Sequence, residues 1–173
     1  MGLPEHIPPS YLDKLLVPAR VMLPGSGPLD GWFALSPVTP FREGPESLLE
    51  LLNSGVRVVP FIRDADDVVV LLSRDTIDWA EVGREVDPAW VHPGSFIVSR
   101  EEQVQVCMAG GQEFGGRVSL ELPEHLNRVS DFLNQDDDFF PLTTERGTLL
   151  INKARLACLR LFESSPPPAS EGA

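Results

Sequence analysis

The stretch "DFLNQDDDFFPL", Asp131 to Leu142, repeats the skeleton of "ELLNSGVRVVPF", Glu50 to Phe61. Each has a Leu-Asn pair, a short gap, two apolar residues, a proline and a further apolar residue. The match extends both ways. "SLLELLNSGVRVVPF" from Ser47 aligns with "RVSDFLNQDDDFFPL" from Arg128 at an offset of 81. Upstream, "VMLPGSGPLDGWFALS" from Val21 aligns with "VCMAGGQEFGGRVSLE" from Val106 at 85. Downstream, "SRDTIDWAEV" from Ser73 aligns with "NKARLACLRL" from Asn152 at 79. Leu29 then matches Phe114, Gly31 matches Gly116, Ile77 matches Leu156 and Val82 matches Leu161. The offset changes only between segments, where connections fall, and that is how a repeated structural unit diverges.

Within each copy the pattern predicts a hairpin, a short helix and three further strands. Val118, Leu120 and Leu122 alternate with Ser119 and Glu121, the period of a half-buried strand. "GSGPLDG" and "AGGQEFGG" supply hairpin glycines. Leu48, Leu51 and Leu52 in one copy, and Val129, Phe132 and Leu133 in the other, share one helical face. Asn53 and Asn134 follow that face, where Asn tolerates the left-handed conformation that ends helices. Pro60 and Pro141 cannot donate to a ladder, so they mark an edge, a bulge or a strand end. "DVVVLLSRDTIDWAEV" and "GTLLINKARLACLRL" each read as an apolar strand, a short break and a final strand.

The predicted fold class is α+β, mostly β: two tandem repeats of a small β-barrel-like unit packed with pseudo-twofold symmetry. Residues 1–19 read as a docking helix, capped by Ser10, with Leu12, Leu15 and Leu16 on one edge and Pro18 at its end. Residues 20–83 and 102–163 are the two units. The connector, 84–101, carries Trp90 and Phe96, expected to pack over one unit. Residues 164–173, "SSPPPASEGA", cannot repay the entropy of ordering and are expected to be a disordered tail. A unit of about 60 residues is marginal alone, so mutual packing is expected.

The chain of 173 residues is 42% hydrophobic, enough for a core without metal or disulfide, and carries a net charge of −12. That charge disfavours phosphate backbones and anionic lipid. No apolar run reaches bilayer length, and "MGLPEHIPPS" lacks the basic start and apolar centre of a secretory signal. A cytoplasmic protein is expected, from a bacterium on its excess of arginine over lysine. Cys107 and Cys158 lie in apolar-alternating stretches and read as buried free thiols.

Copy two, "VQVCMAGGQEFGGRVSLELPEHLNRVSDFLN" followed by "LLINKARLACLRL", resembles the Sm-like small β-barrels. In that family a glycine-containing first hairpin leads to an apolar-Asn pair, and the chain closes with strand, turn, strand. The resemblance implies a small-barrel topology. It also places Asn127 and the Asn152-Lys153 turn at RNA-contacting positions, which would need a basic strip of Arg117, Arg128, Lys153, Arg155 and Arg160.

Catalytic chemistry finds little support. His92, Cys107, His125 and Cys158 lack close-ligand spacing for zinc. Cys107 or Ser130 with His125 and Asp131 lacks a nucleophile elbow. Asp64–Asp67 and Asp136–Asp138 lack the spacing of a calcium loop and read as solvated loop charges. "GGQEFGG" has no phosphate-binding lysine. No cofactor is expected. The leading expectation is a non-catalytic adaptor or scaffold that binds another protein, with Trp32, Trp79 and Trp90 as candidate contacts. The alternatives are a small-ligand or enzyme site in the cleft between the repeats, with acidic side chains from both, and Sm-like RNA binding.

Overall fold

The computed structural model describes residues 2–40, 42–94, 100–121 and 128–162. The chain is mostly β. Its strands are β1 (Leu15–Leu23), β2 (Gly27–Leu35), β3 (Val58–Arg63), β4 (Val69–Ser73), β5 (Trp79–Gly83), β6 (Arg100–Met108), β7 (Glu113–Leu120), β8 (Phe139–Thr143), β9 (Gly147–Asn152) and β10 (Leu156–Leu161). Three short helices are α1 (Leu48–Asn53), α2 (Pro88–Val91) and α3 (Val129–Leu133). All ten strands join one open antiparallel sheet in the order β10-β6-β7-β8-β9-β5-β1-β2-β3-β4.

The N-terminal reading is corrected. Pro9–Tyr11 form a single 3-10 turn, and Leu15 to Leu23 are strand β1, so no docking helix forms. The helical spacing of Leu12, Leu15 and Leu16 is outweighed by cross-strand pairing of β1 with β2 along its whole length. Pro18 fits because pairing with β5 begins only at Arg20. The segment still packs down: Ile7 and Tyr11 cover an outer cluster of Leu16, Trp32, Ala34 and Ile62. The His6 backbone N–H donates to Asp67 Oδ2 at 3.0 Å.

Helix α1 starts where its sequence says it should. Ser47 Oγ accepts from the Glu50 backbone N–H at 3.2 Å and Glu50 Oε2 accepts from the Ser47 N–H at 2.7 Å, a complete capping box. Arg42 forks onto the same carboxylate, and these bonds hold Glu50 down to about 2. Leu48 and Leu52 are fully buried. Neither asparagine is left-handed, which corrects the expected mechanism of termination. Asn53 is the last helical residue of α1, and Asn134 has φ −86°. A positive φ of 80° falls instead on Gly55.

Pro60 is the first residue past the β2–β3 ladder, which ends at Phe33↔Phe61. Pro141 likewise lies past the Arg117↔Thr143 contact of β7 with β8. Both prolines therefore stand where one neighbour has been lost, and their missing N–H disrupts no bond there.

Two main cores lie along the sheet, and each takes residues from both halves of the sequence. The first gathers Val17, Val21, Phe33, Leu48, Leu52 and Phe61 together with Phe139 and Leu150. The second gathers Val104, Val106, Val118, Phe140 and Ile151 together with Trp79. The exchange occurs where β5 pairs with β9, from Trp79↔Ile151 to Gly83↔Gly147. This seam joins the fifth strand of the first half to the fourth of the second. The ten strands form one open sheet, so the expected barrel-like units do not appear among the described residues, and the seam pairs β5 with β9 rather than like strand with like. Trp90 of the connector is half-buried against the first core. Phe96, Leu122 and the expected tail at 164–173 lie outside the described residues.

Gly31 and Gly116 stand at matching points of β2 and β7. A Cβ on Gly31 would strike the Ile62 carbonyl oxygen and come within 2.6 Å of the Phe61 ring. On Gly116 it would lie 2.5 Å from the Thr143 carbonyl oxygen and 2.8 Å from Leu142. No Cβ fits without moving backbone. Neighbouring Gly115 meets nothing within 4 Å. Gly31→Ala and Gly116→Ala are each expected to lower stability in urea by about 3 kcal/mol, against about 0.5 or less for Gly115→Ala. Equal midpoints for the three variants would refute the close-approach account.

Candidate functional site

Three residues hold the seam together from outside the ladder. Asn53, at the end of α1, donates from Nδ2 to the Phe139 carbonyl at 3.1 Å and accepts the Phe139 N–H on Oδ1 at 2.9 Å. The side chain thus continues the sheet as an extra peptide group. Asn152, 3% exposed, acts in the other direction. Its Nδ2 donates to the Ile77 carbonyl at 2.9 Å while its Oδ1 accepts from the Ala154 N–H at 3.0 Å. Arg74 closes the set, donating to the Leu52 carbonyl at 3.2 Å and pairing with Asp138 at 2.9 Å. Asn53 of the Leu52-Asn53 pair is therefore a clamp between the two halves of the sequence, a role that no local spacing encodes.

A cleft of about 460 Å³ opens beside the seam, lined in part by Met22, Gly25, Asp78, Gly110, Gln112 and Arg155. It brings together one carboxylate and one guanidinium, where sequence reasoning expected acidic groups from both copies. Asp78 is 8% exposed, and Arg155 Nε lies 3.6 Å from its Oδ1. Burial pushes the Asp78 carboxyl above the ordinary range, and the Arg155 charge partly offsets this. Trp79 Nε1, Gln112 Oε1 and Arg155 Nε are buried without hydrogen-bond partners among the described residues. Asp78 and Arg155 face each other and leave little charge for a ligand.

The more distinctive surface is the free end of the sheet. Strand β4 ends the strand order, and the run "VVVLL" from Val68 to Leu72 contains no charge, proline or glycine. Natural edges are normally blunted by such residues. Leu71 is 66% exposed, Val58 on the adjoining β3 is 50% exposed, and Val68 is 46% exposed. The two ends of β4 carry both signs of charge: Asp64 is exposed, Asp66 pairs with Arg63, Asp75 pairs with Arg74 at 2.9 Å, and Arg57 is exposed beside Val58. At the opposite end of the sheet, β10 carries Arg160 among its apolar residues.

Trp32 and Trp79, 2% and 5% exposed, are packing residues. Trp79 meets Phe114 edge-on at 5.5 Å. Of the three tryptophans only half-buried Trp90 keeps exposed surface. Of the residues a basic strip would need, Arg117 pairs with Glu101, Arg155 pairs with Asp78, and Lys153 lies amid Asp136, Asp137 and Asp138, its Nζ on the Gln135 carbonyl at 3.0 Å. Asn127 and His125 lie outside the described residues. Among the described residues no three His, Cys, Asp or Glu gather for a metal, and no helix is long and apolar enough to cross a membrane. One thiol reading is corrected: Cys107 is buried, but Cys158 is exposed, because it faces outward on the last strand.

Sequence reasoning missed Asp78 and the β4 edge, and singled out Asn152 only as part of a turn at an RNA-contacting position. The uncharged run was the available signal for the edge; Asp78 and Asn152 act only across the seam. Comparison with protein-family models, curated proteins and solved structures returned no match.

The buried carboxyl has a checkable consequence. Because the folded state raises Asp78 above its ordinary 3.8, the native state binds its proton more tightly than the unfolded chain. Stability contributed there is present at low pH and lost as pH rises through the folded value. Relative to Asp78→Asn, the wild type should therefore lose ground between pH 4 and neutrality, as measured by urea unfolding. A difference between the two proteins that is flat or opposite in slope would contradict the burial account.

Proposed function

We propose that this chain is a non-catalytic protein-interaction module that takes up an extended segment of a partner protein along β4. The observation that carries the reading is the uncharged apolar edge from Val68 to Leu72, with Leu71 two-thirds exposed beside Val58. An unpaired strand offers a row of backbone donors and acceptors, and alternate side-chain positions give specificity, as in β-strand addition. Asp66 and Asp75 beside the edge are already paired with Arg63 and Arg74, so selectivity rests on the alternating apolar positions. The cleft at Asp78 supports a ligand reading less well, because its two charges face one another.

The same reading treats the chain as a duplicated unit. Strand pairs recur at the offsets read from the sequence. Met22↔Trp79 corresponds to Cys107↔Cys158, Met22↔Pro28 to Cys107↔Glu113, and Pro60↔Leu71 to Pro141↔Leu150. In the second half the strand matching β4 is β9, and β9 is covered by β5. The first half keeps the corresponding edge open. On this reading duplication supplied both a covered edge, which builds the fold, and a free one, which serves a partner.

A random-peptide display library panned on the full chain tests this. Enriched sequences should alternate apolar residues and lose binding at least about tenfold, roughly 1.4 kcal/mol, to Leu71→Lys. Gln103→Lys, on exposed β6 away from the edge, serves as the control. No enrichment, or enrichment insensitive to Leu71→Lys, would sink the proposal.

A further inference from the structure

We propose that Cys107 and Cys158 are a reversible thiol–disulfide couple on the outer face of β6 and β10, oxidised by low-molecular-weight disulfides of the glutathione class.

The two residues are direct cross-strand partners in the β6–β10 ladder. Cys107 belongs to the face opposite Val104, Val106 and Met108, which point into the second core. Cys158 is exposed on a strand with a single neighbour. Directly opposed residues of an antiparallel pair hold their Cβ atoms about 4.5–5.5 Å apart, and a disulfide needs about 3.5–4.5 Å. The difference of about 1 Å is within reach of β10, whose register already shifts between Leu156 and Cys158 and beyond which no further strand lies among the described residues. A bond drawn across such an edge is readily reduced again, the property of a regulatory disulfide.

A carboxylate stands beside the pair. Glu113 Oε1 lies 3.6 Å from Cys107 Sγ, and Gln105 Nε2 fixes the other carboxylate oxygen, Oε2, at 2.8 Å. The hydrogen bond with Cys158 and then burial push the Cys107 thiol up to about 11. Exposed Cys158 is therefore the attacking sulfur and Cys107 the resolving one.

The exchange balances in two steps. The Cys158 thiolate attacks one sulfur of the small disulfide, forming a mixed disulfide and expelling one small thiolate. Cys107 then gives its proton to the small thiolate already released and attacks the Cys158 sulfur, expelling the second small thiolate. The two released thiolates end as thiols, taking up the protons the protein has lost. The chain is oxidised by two electrons and the small disulfide is reduced by two. The new bond ties the outermost strand to its neighbour.

The test uses the full chain, fully reduced and then held in a glutathione redox buffer, quenched in acid and read by intact mass and peptide mapping. The expected wild-type product is a monomer lighter by the two thiol hydrogens, with a peptide bridging Cys107 and Cys158, restored by dithiothreitol. Cys107→Ser should stop with one glutathione on Cys158, and Cys158→Ser should stay reduced at Cys107. A matching far-UV spectrum confirms that both variants fold. Wild type that accumulates glutathione on Cys158 without bridging, bridges only between chains, or does not react would overturn the proposal.

Discussion

The pairing of β5 with β9 is the constraint on which the rest of this structure depends. Along those five residue pairs, Trp79 to Gly83 against Ile151 to Gly147, the two halves of the chain become one sheet. The pleat then sends alternate side chains into different cores: Trp79 enters the second, while Leu150 enters the first beside Phe139. Neither core is complete without the other half. Polar groups follow the same logic. Asn53 satisfies both backbone groups of Phe139, and Asn152 satisfies the Ile77 carbonyl, so the strand ends nearest the seam leave few orphans.

The β5–β9 seam lies inside the sheet and leaves two unlike strands at its ends. Here the outer strands are β4, uncharged itself and flanked by the Arg63–Asp66 and Arg74–Asp75 ion pairs, and β10, which carries Arg160 and the exposed thiol of Cys158. The adaptor reading attaches to the first and the redox couple to the second. The two proposals rest on opposite ends of one sheet and can fail separately.

Much of the fold could be read from residue spacing, because its determinants are local. The hairpin glycines, the Leu48 and Leu52 face of α1 and the alternation in β7 all act within a few residues, and the short breaks before β5 and β10 are 3-10 turns. Gly31 and Gly116 were visible as matched positions, and the reason for them, a carbonyl pressed against each Cα, follows from the β2–β3 and β7–β8 approaches. The N-terminal segment misled because Leu12, Leu15 and Leu16 satisfy helical spacing, whereas the choice of strand was made by β2, a partner in tertiary structure. Asn53 and Asn152 carried a local signal for turn and cap, but their main bonds span 86 and 75 residues. The tryptophans were chosen by residue type alone; burial in two different cores decided against Trp32 and Trp79 as surface contacts.

The claim that one sheet and two shared cores unfold as a unit can be measured directly by native-state hydrogen exchange in increasing denaturant. The amides of Phe61, in the first half, and Val106, in the second, are the natural reporters, since both residues are fully buried on strands distant from the seam. The account predicts that they exchange through a common opening, with free energies within about 0.5 kcal/mol and the same denaturant dependence. Two separate opening energies with distinct slopes, one for each half, would mean that the halves fold independently and that the β5–β9 seam is only an adhesion between finished parts.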